Sequence, residues 1–246
     1  MSYPIILISG WAMPAAVMEP LSQALQADHP VSIVQLPGLT GESTSYSQET
    51  LLAWLDQQLP AQPAILMGWS LGGVLAINYA SRFPNKIIAV VNMAANACFV
   101  ANEHWPEAMA PELFARFCQG LSDDHARTLQ QFSLLCSAGS TNPRAQARAL
   151  QQAIVRCQPE PEVLLNLLTI LGESDLCTAL ANIRCPISHL FARDDALVPV
   201  AAAAAFRQQF PTHRAQAVVG GHSFFLDDPA LVRHELDQLL AVGVNP

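Results

Sequence analysis

Residues 64–80 read AILMGWSLGGVLAINYA. The first six form a continuous apolar run of the kind found in strands buried on both faces. From Leu71 to Arg82 the apolar residues fall at helical spacing. Between the two lies Gly68-Trp69-Ser70-Leu71-Gly72, a Gly-x-Ser-x-Gly pattern. A serine on so sharp a strand-to-helix turn has its hydroxyl exposed, and side chains at the two glycine positions would strike neighbouring backbone. Gly73 further lets the helix pack close to the sheet.

Reading outward, the apolar runs Pro4 to Ser9, Val31 to Leu36 and Lys86 to Val91 are also predicted strands. Ala15 to Gln26 and Ser47 to Leu59 have helical spacing, so strand and helix alternate as in a parallel sheet covered by helices. From about Ala101 to Asn182 the pattern changes to helices alone: Pro111 to Gly120, Ser122 to Ser137, Pro143 to Cys157 and Pro161 to Leu171. Ser122-Asp123-Asp124 and Asn142-Pro143 read as helix starts. Alternation then resumes with strands at Ile187 to Ala192 and Ala215 to Val219, and helices at Val200 to Phe210 and Pro229 to Val242. There is no internal repeat, and Ala201 to Ala205 is only a helix of small residues. With its serine turn, this order resembles the α/β-hydrolase fold. The expected architecture is a mostly parallel sheet flanked by helices. Residues 1–100 and 183–246 form its core, and 101–182 an inserted all-helical cap or lid.

Composition narrows the function. The chain has 246 residues, 51% hydrophobic and 13% charged, enough to bury a substantial core. Its formal charge of −8 and single lysine, Lys86, argue against nucleic-acid binding and against attraction to anionic membranes. No apolar run reaches the roughly 18–20 residues that span a bilayer. Met1 to Trp11 reads as a buried strand and not as a signal peptide. Six cysteines without Cys-x-x-Cys spacing suit buried free thiols in a reducing cytoplasm. Histidines and carboxylates do not fall at metal-ligand spacing, and no phosphate-binding glycine loop occurs, so neither metal nor cofactor is expected.

A serine hydroxyl is a weak nucleophile until a base takes its proton. Of seven histidines, His222 in Gly220-Gly221-His222-Ser223-Phe224 follows the last strand, where a loop would set a base over the sheet edge. The order Ser…Asp…His is the one this fold uses. His189 falls inside a predicted strand and reads as a packed core residue. Asp194 and Asp195 both follow the strand ISHLFA. Asp195-Ala196-Leu197-Val198-Pro199 resembles the acid loop of many proteins with this fold, which favours Asp195 as the acid and leaves Asp194 as a solvated-turn or helix-capping residue. The developing oxyanion needs backbone donors. Leu71 N–H is one candidate and Trp11 N–H, after Ser9-Gly10, the other; Ser9 stands where the fold usually has histidine.

Beyond the fold, the chain resembles the pimeloyl-acyl carrier protein methyl ester esterase family of biotin synthesis. The likeness rests on Gly68 to Gly73, Cys98-Phe99 followed by Trp105-Pro106, Leu121-Ser122-Asp123-Asp124, Arg127-Thr128, and Arg144 through Arg148. It implies a carboxylesterase with Ser70, Asp195 and His222 as catalytic trio and no cofactor. It also implies an acyl carrier protein as partner, with Arg127, Arg144 and Arg148 as contacts. The residues themselves agree: from His125 to Gln158 there are four arginines, Arg156 included, and no Asp or Glu, a reversal of sign in an acidic chain. Arg144 and Arg148 share a helix face. Such a surface suits an acidic partner; its alternative is an ordinary solvated face. Trp11, Trp69 and Phe132 are candidates to line the acyl pocket, with core packing equally open for Trp69. Two departures stand out: the strand PIILIS comes so early that the leading hairpin common in the fold is expected to be missing or short, and Gln131 stands where the family has an arginine. A monomer is expected. The rival readings are a broad short-chain carboxylesterase without a carrier-protein partner, and a ligand-binding protein of this fold without catalysis.

Overall fold

A computed structural model describes residues 2–39, 41 and 45–243. Met1 and residues 244–246, at the outer ends of the expected core segments, lie outside the described residues. Six strands form one sheet in the order β2-β1-β3-β4-β5-β6: β1 (Ile5–Ile8), β2 (Val31–Val34), β3 (Ala64–Trp69), β4 (Ile87–Met93), β5 (Ile187–Ala192) and β6 (Arg214–Val218). Every pairing among them is parallel. All residues of β1, β3 and β5 are buried. Burial on both faces is why these strands read as unbroken apolar runs and not as alternating ones.

Strand order reverses at β1, whose two neighbours are β2 and β3. In open parallel sheets the crevice beyond the carboxyl ends of the strands at such a switch point is where ligands bind. Ser9-Gly10-Trp11 leaves β1 there and Ser70 leaves β3 there.

The helices of the sheet core are α1 (Glu19–Leu25), α2 (Gln48–Gln58) and α3 (Leu71–Arg82), with α9 (Ala202–Gln209) and α10 (Pro229–Gly243) after the insertion. The segment expected as one helix from Ala15 divides into a 3-10 turn, Ala15–Met18, and α1, with Pro20 in the first turn of α1. Proline has no N–H to donate, so it sits at a helix start more readily than inside one. Ser47 caps α2 in a reciprocal pair with Thr50. α10 packs on α1 and on β4 and β5, while α3 covers β1, β3 and β4.

Between β4 and β5 come α4 (Pro111–Asp123), α5 (His125–Ser137), α6 (Pro143–Cys157), α7 (Pro161–Glu173) and α8 (Cys177–Asn182). The predicted break after Gly120 lies three residues further on, at Asp124. Its side chain accepts from Arg127 N–H and starts α5, so Ser122 and Asp123 still belong to α4. Asn142 caps α6 in the same way, with Pro143 at the first helical position. Each such cap contributes about 1 kcal/mol. α4 packs on α5 and α7, and α5 on α6. α8, which the expected boundary at 182 groups with these helices, packs against α3 of the sheet core.

Candidate active site

Ser70 sits between the last residue of β3 and the first of α3 with φ 54° and ψ −119°. An L-residue pays about 1–3 kcal/mol for such backbone. What holds it is close packing: a Cβ on Gly68 would lie 2.2 Å from Gly72 O, and one on Gly72 2.2 Å from Ile8 O. Ser70 N–H also donates to Met93 O at 2.9 Å, tying the turn to β4. Serine before a helix ordinarily caps it. Here the side chain makes no capping bond, and Ser70 lines an apolar cavity of about 180 Å³.

His222 and Asp195 are brought together from the ends of β6 and β5. His222 Nδ1 lies 2.9 Å from Asp195 Oδ2, and both side chains are fully buried. Asp195 Oδ1 accepts from Leu197 N–H at 2.8 Å and Val198 N–H at 3.0 Å, so its own loop orients the carboxylate. This leaves Oδ2 for the imidazole and makes Nδ1 the protonated nitrogen. His222 Nε2 is buried and accepts no hydrogen bond among the described residues, so it is the ring nitrogen left to take a proton. Asp194 is exposed, and its N–H donates to Gly220 O at 3.0 Å, joining the loops that carry Asp195 and His222.

The loop that carries His222 rests on α5. Ser223 Oγ and N–H both donate to Cys136 O, at 2.7 and 3.2 Å. Gly221 passes so near Ala138 that a Cβ would lie 1.6 Å from its carbonyl oxygen.

Two backbone donors belong to residues next to Ser70 in the chain or along its cavity, Leu71 and Trp11. Leu71 N–H is an orphan of the first helical turn. Among the described residues neither it nor Trp11 N–H donates a hydrogen bond. Unpaired buried N–H groups are rare in folded proteins, and two beside one strained serine suit a developing negative charge. Ser9 Oγ, from the residue that departs from the usual histidine, is also buried without a partner.

Trp11 and Phe132 line the cavity, their rings 4.9 Å apart edge to face. Trp11 Nε1 donates to Leu164 O at 2.8 Å, fastening the β1 loop to α7. Trp69 is a correction: it does not line the cavity. It is fully buried, and its Nε1 donates to His222 O at 2.9 Å, so it buttresses the backbone of His222. Its indole packs in the core instead, 5.6 Å from the ring of His222 and 5.1 Å from that of Phe225. The remaining walls were not read from sequence. They are Leu113 and Phe117 of α4, Leu135 of α5, Leu168 and Leu171 of α7, and Phe99, Met109, Ala196 and Leu197 from loops. For the helical ones the sequence signal is the apolar stripe of each helix, which does not say which helices meet.

Arg127 on α5 and Arg144, Arg148 and Arg156 on α6 are exposed, and none of the four makes an ion pair among the described residues. His189 is buried in the core, its ring 4.4 Å from that of Phe206 and tilted by 50°, and it does not line the serine cavity.

The sequence profile of the Alpha/beta hydrolase family matches residues 5–235. A pimeloyl-[acyl-carrier protein] methyl ester esterase from Klebsiella pneumoniae is 37% identical over 79% of this chain and 76% of its own. The chain belongs to the pimeloyl-acyl carrier protein methyl ester esterase family of α/β hydrolases. As a member of that family it is a carboxylic ester hydrolase. A biotin biosynthesis bifunctional protein from Cellvibrio japonicus is 33% identical over 88% of this chain, and the match spans 43% of that longer protein. The fold is also that of a Bacillus anthracis bromoperoxidase, with a TM-score of 0.87 at 20% identity over 98% of this chain and 92% of the other. No helix among the described residues is long and apolar enough to cross a membrane.

Proposed function

We propose that this esterase removes the methyl group from pimeloyl-acyl carrier protein methyl ester, and that Ser70, His222 and Asp195 carry the reaction. Ser70 Oγ attacks the ester carbonyl while His222 Nε2 takes its proton. Trp11 N–H and Leu71 N–H stabilise the oxyanion. The tetrahedral species collapses as His222 returns the proton to the departing methanol. Water then attacks the acyl-serine, again giving its proton to His222, and the free carboxylate leaves. Residues 101–182 act as the cap that closes the acyl cavity, with α8 anchoring its return to the core.

The observation that carries this reading is a strained serine at an apolar cavity, beside an Asp195-oriented histidine whose Nε2 is unpaired. Reading the substrate as protein-borne rests on the family and on the exposed, unpaired arginines of α5 and α6. These would steer an acidic carrier. The test is demethylation of pimeloyl-acyl carrier protein methyl ester by the wild type and by Ser70→Ala, which should retain binding and lose about 10⁴-fold or more in turnover. Arg144→Glu with Arg148→Glu should cut kcat/KM for the protein-borne ester by at least about tenfold and leave hydrolysis of a p-nitrophenyl ester unchanged. Equal loss on both substrates would reject the carrier surface. Undiminished turnover by Ser70→Ala would reject the nucleophile.

A further inference from the structure

Outside the serine site, one cluster brings soft ligands together. Cys98 lies just after β4, where the chain leaves the sheet for the inserted helices. Asp175 and Cys177 lie just after α7, where it returns. The Sγ atoms of Cys98 and Cys177 and a carboxylate oxygen of Asp175 all lie within 4.8 Å of one another. Backbone brings them there: Cys98 and Asp175 form an antiparallel bridge, and Leu176 N–H donates to Ala97 O at 2.8 Å. The donors are therefore held near one another without help from an ion, so little chain ordering opposes binding.

We propose that Cys98, Asp175 and Cys177 form a site for a thiophilic divalent cation of the zinc class, joining the strands by which the inserted helices leave and rejoin the sheet. Two thiolates and one carboxylate are ligands zinc uses, and water completes the tetrahedron. Zinc–sulfur bonds of about 2.3 Å at tetrahedral angles set the two sulfurs roughly 3.8 Å apart, within the span observed. Sulfur ligands disfavour magnesium and calcium. Asn102 Nδ2 donates to Cys98 Sγ at 3.4 Å, the sort of outer hydrogen bond that orients a metal-bound thiolate. Each bound cation displaces two thiol protons to solvent, with no change of oxidation state.

Sequence spacing could not disclose this group. Cys98 is far from Asp175 and Cys177 along the chain, and the expectation of no metal rested on histidine and carboxylate spacing. The site would have a structural consequence. Phe99, next to Cys98, lines the serine cavity, as do Leu168 and Leu171 of α7, the helix that leads to Asp175. A cation here would fix both walls relative to the sheet.

The experiment uses the full chain, reduced and freed of metal by chelation, titrated with Cd²⁺ while the ultraviolet thiolate-to-cadmium charge-transfer band is followed. One equivalent should saturate the wild type. The band should vanish in Cys177→Ser and Cys98→Ser and persist in Cys118→Ser. Asp175→Asn keeps both sulfurs and should weaken binding at least about tenfold. Retained p-nitrophenyl ester hydrolysis in Cys177→Ser and Asp175→Asn shows that they are folded. With zinc in place of cadmium, the thermal midpoint of the wild type should rise with concentration and that of Cys177→Ser should not. A band that survives unchanged in folded Cys177→Ser, no saturable band in the wild type, or unchanged affinity in folded Asp175→Asn would overturn the proposal. So would a Cys98–Cys177 disulfide as the only product on air oxidation, with no cadmium binding after reduction.

Discussion

Asp195 uses its two oxygens differently, and that division sets the chemistry of His222. Oδ1 is held by two backbone N–H groups and Oδ2 by the imidazole. In Asp195→Asn the backbone donors keep the remaining oxygen, which turns the amide NH₂ toward His222 Nδ1. Histidine must then present an unprotonated Nδ1 and carry its proton on Nε2, where it cannot accept one from Ser70. A fall of about 10⁴-fold in kcat with little change in thermal midpoint is expected, measured on a small ester. Asp194→Asn, at an exposed neighbour with no part in that arrangement, should remain within about twofold of wild type, well inside 1 kcal/mol. The same logic of donors fixes a second histidine. Asn92 Nδ2 can only donate, so His189 Nδ1, 2.9 Å away, accepts; its Nε2–H then points at His213 Nδ1, 3.2 Å away.

Among the elements, α5 has two roles that share one helix. Its middle supplies Phe132 and Leu135 to the cavity, and its last turn braces the base loop through Cys136 and Ala138. The helix is thus packed into the active centre at both places, while Arg127 on its first turn faces solvent. Gly221→Ala tests the brace. A Cβ pressed against Ala138 O must push the His222 loop from α5. Displacing a catalytic group by about 1 Å costs on the order of 10²-fold in rate, so kcat on a small ester should fall by about that factor. KM should change less, because the cavity walls are left in place. Stopped turnover with an unaltered loop position, seen by crystallography of the variant, would contradict this account.

At the level of the whole molecule, acid stability is set by groups remote from the cavity. Burial, and then the neighbouring His213, hold the His189 imidazole well below the ordinary histidine range, so the folded chain keeps it neutral. Burial lowers His213 as well. The unfolded chain binds those protons near pH 6.5, so stability from neutral histidine is complete above that pH and falls as pH drops below it. Glu235 acts at lower pH. Burial pushes its carboxyl up, but hydrogen bonds from Arg214, Ser188 and Gln216 outweigh burial and hold it below the usual carboxylate value. Its contribution is complete above the unfolded carboxylate pKa and is lost as pH falls through the folded one. Denaturant unfolding from pH 7 to pH 3 should show stability falling below about pH 6.5 through the histidines, and through Glu235 only below about pH 4.3, with a slope of up to about 1.4 kcal/mol per pH unit for each group. In Glu235→Gln the carboxylate part of that slope should disappear. A pH-independent stability across this range would refute the assignment.

Local sequence determined the features whose causes are local. The strand–turn–helix around Ser70 is legible because its glycines, apolar run and helical spacing lie within about twenty residues. The same holds for the cap at Asn142, for the strands buried on both faces, and for the position of His222 after the last of them. Tertiary structure decided what depends on packing between distant segments. It packed Trp69 against His222 and Phe225 and not along the cavity. It oriented Asp195, which the sequence already favoured over Asp194, by the hydrogen bonds of its own turn. It chose which apolar stripes of α4, α5 and α7 face Ser70, and it gathered Cys98, Asp175 and Cys177. Hydrophobic spacing says that a face will be buried, and only the folded chain says against what, because burial is not directional while hydrogen bonds and side-chain contacts are.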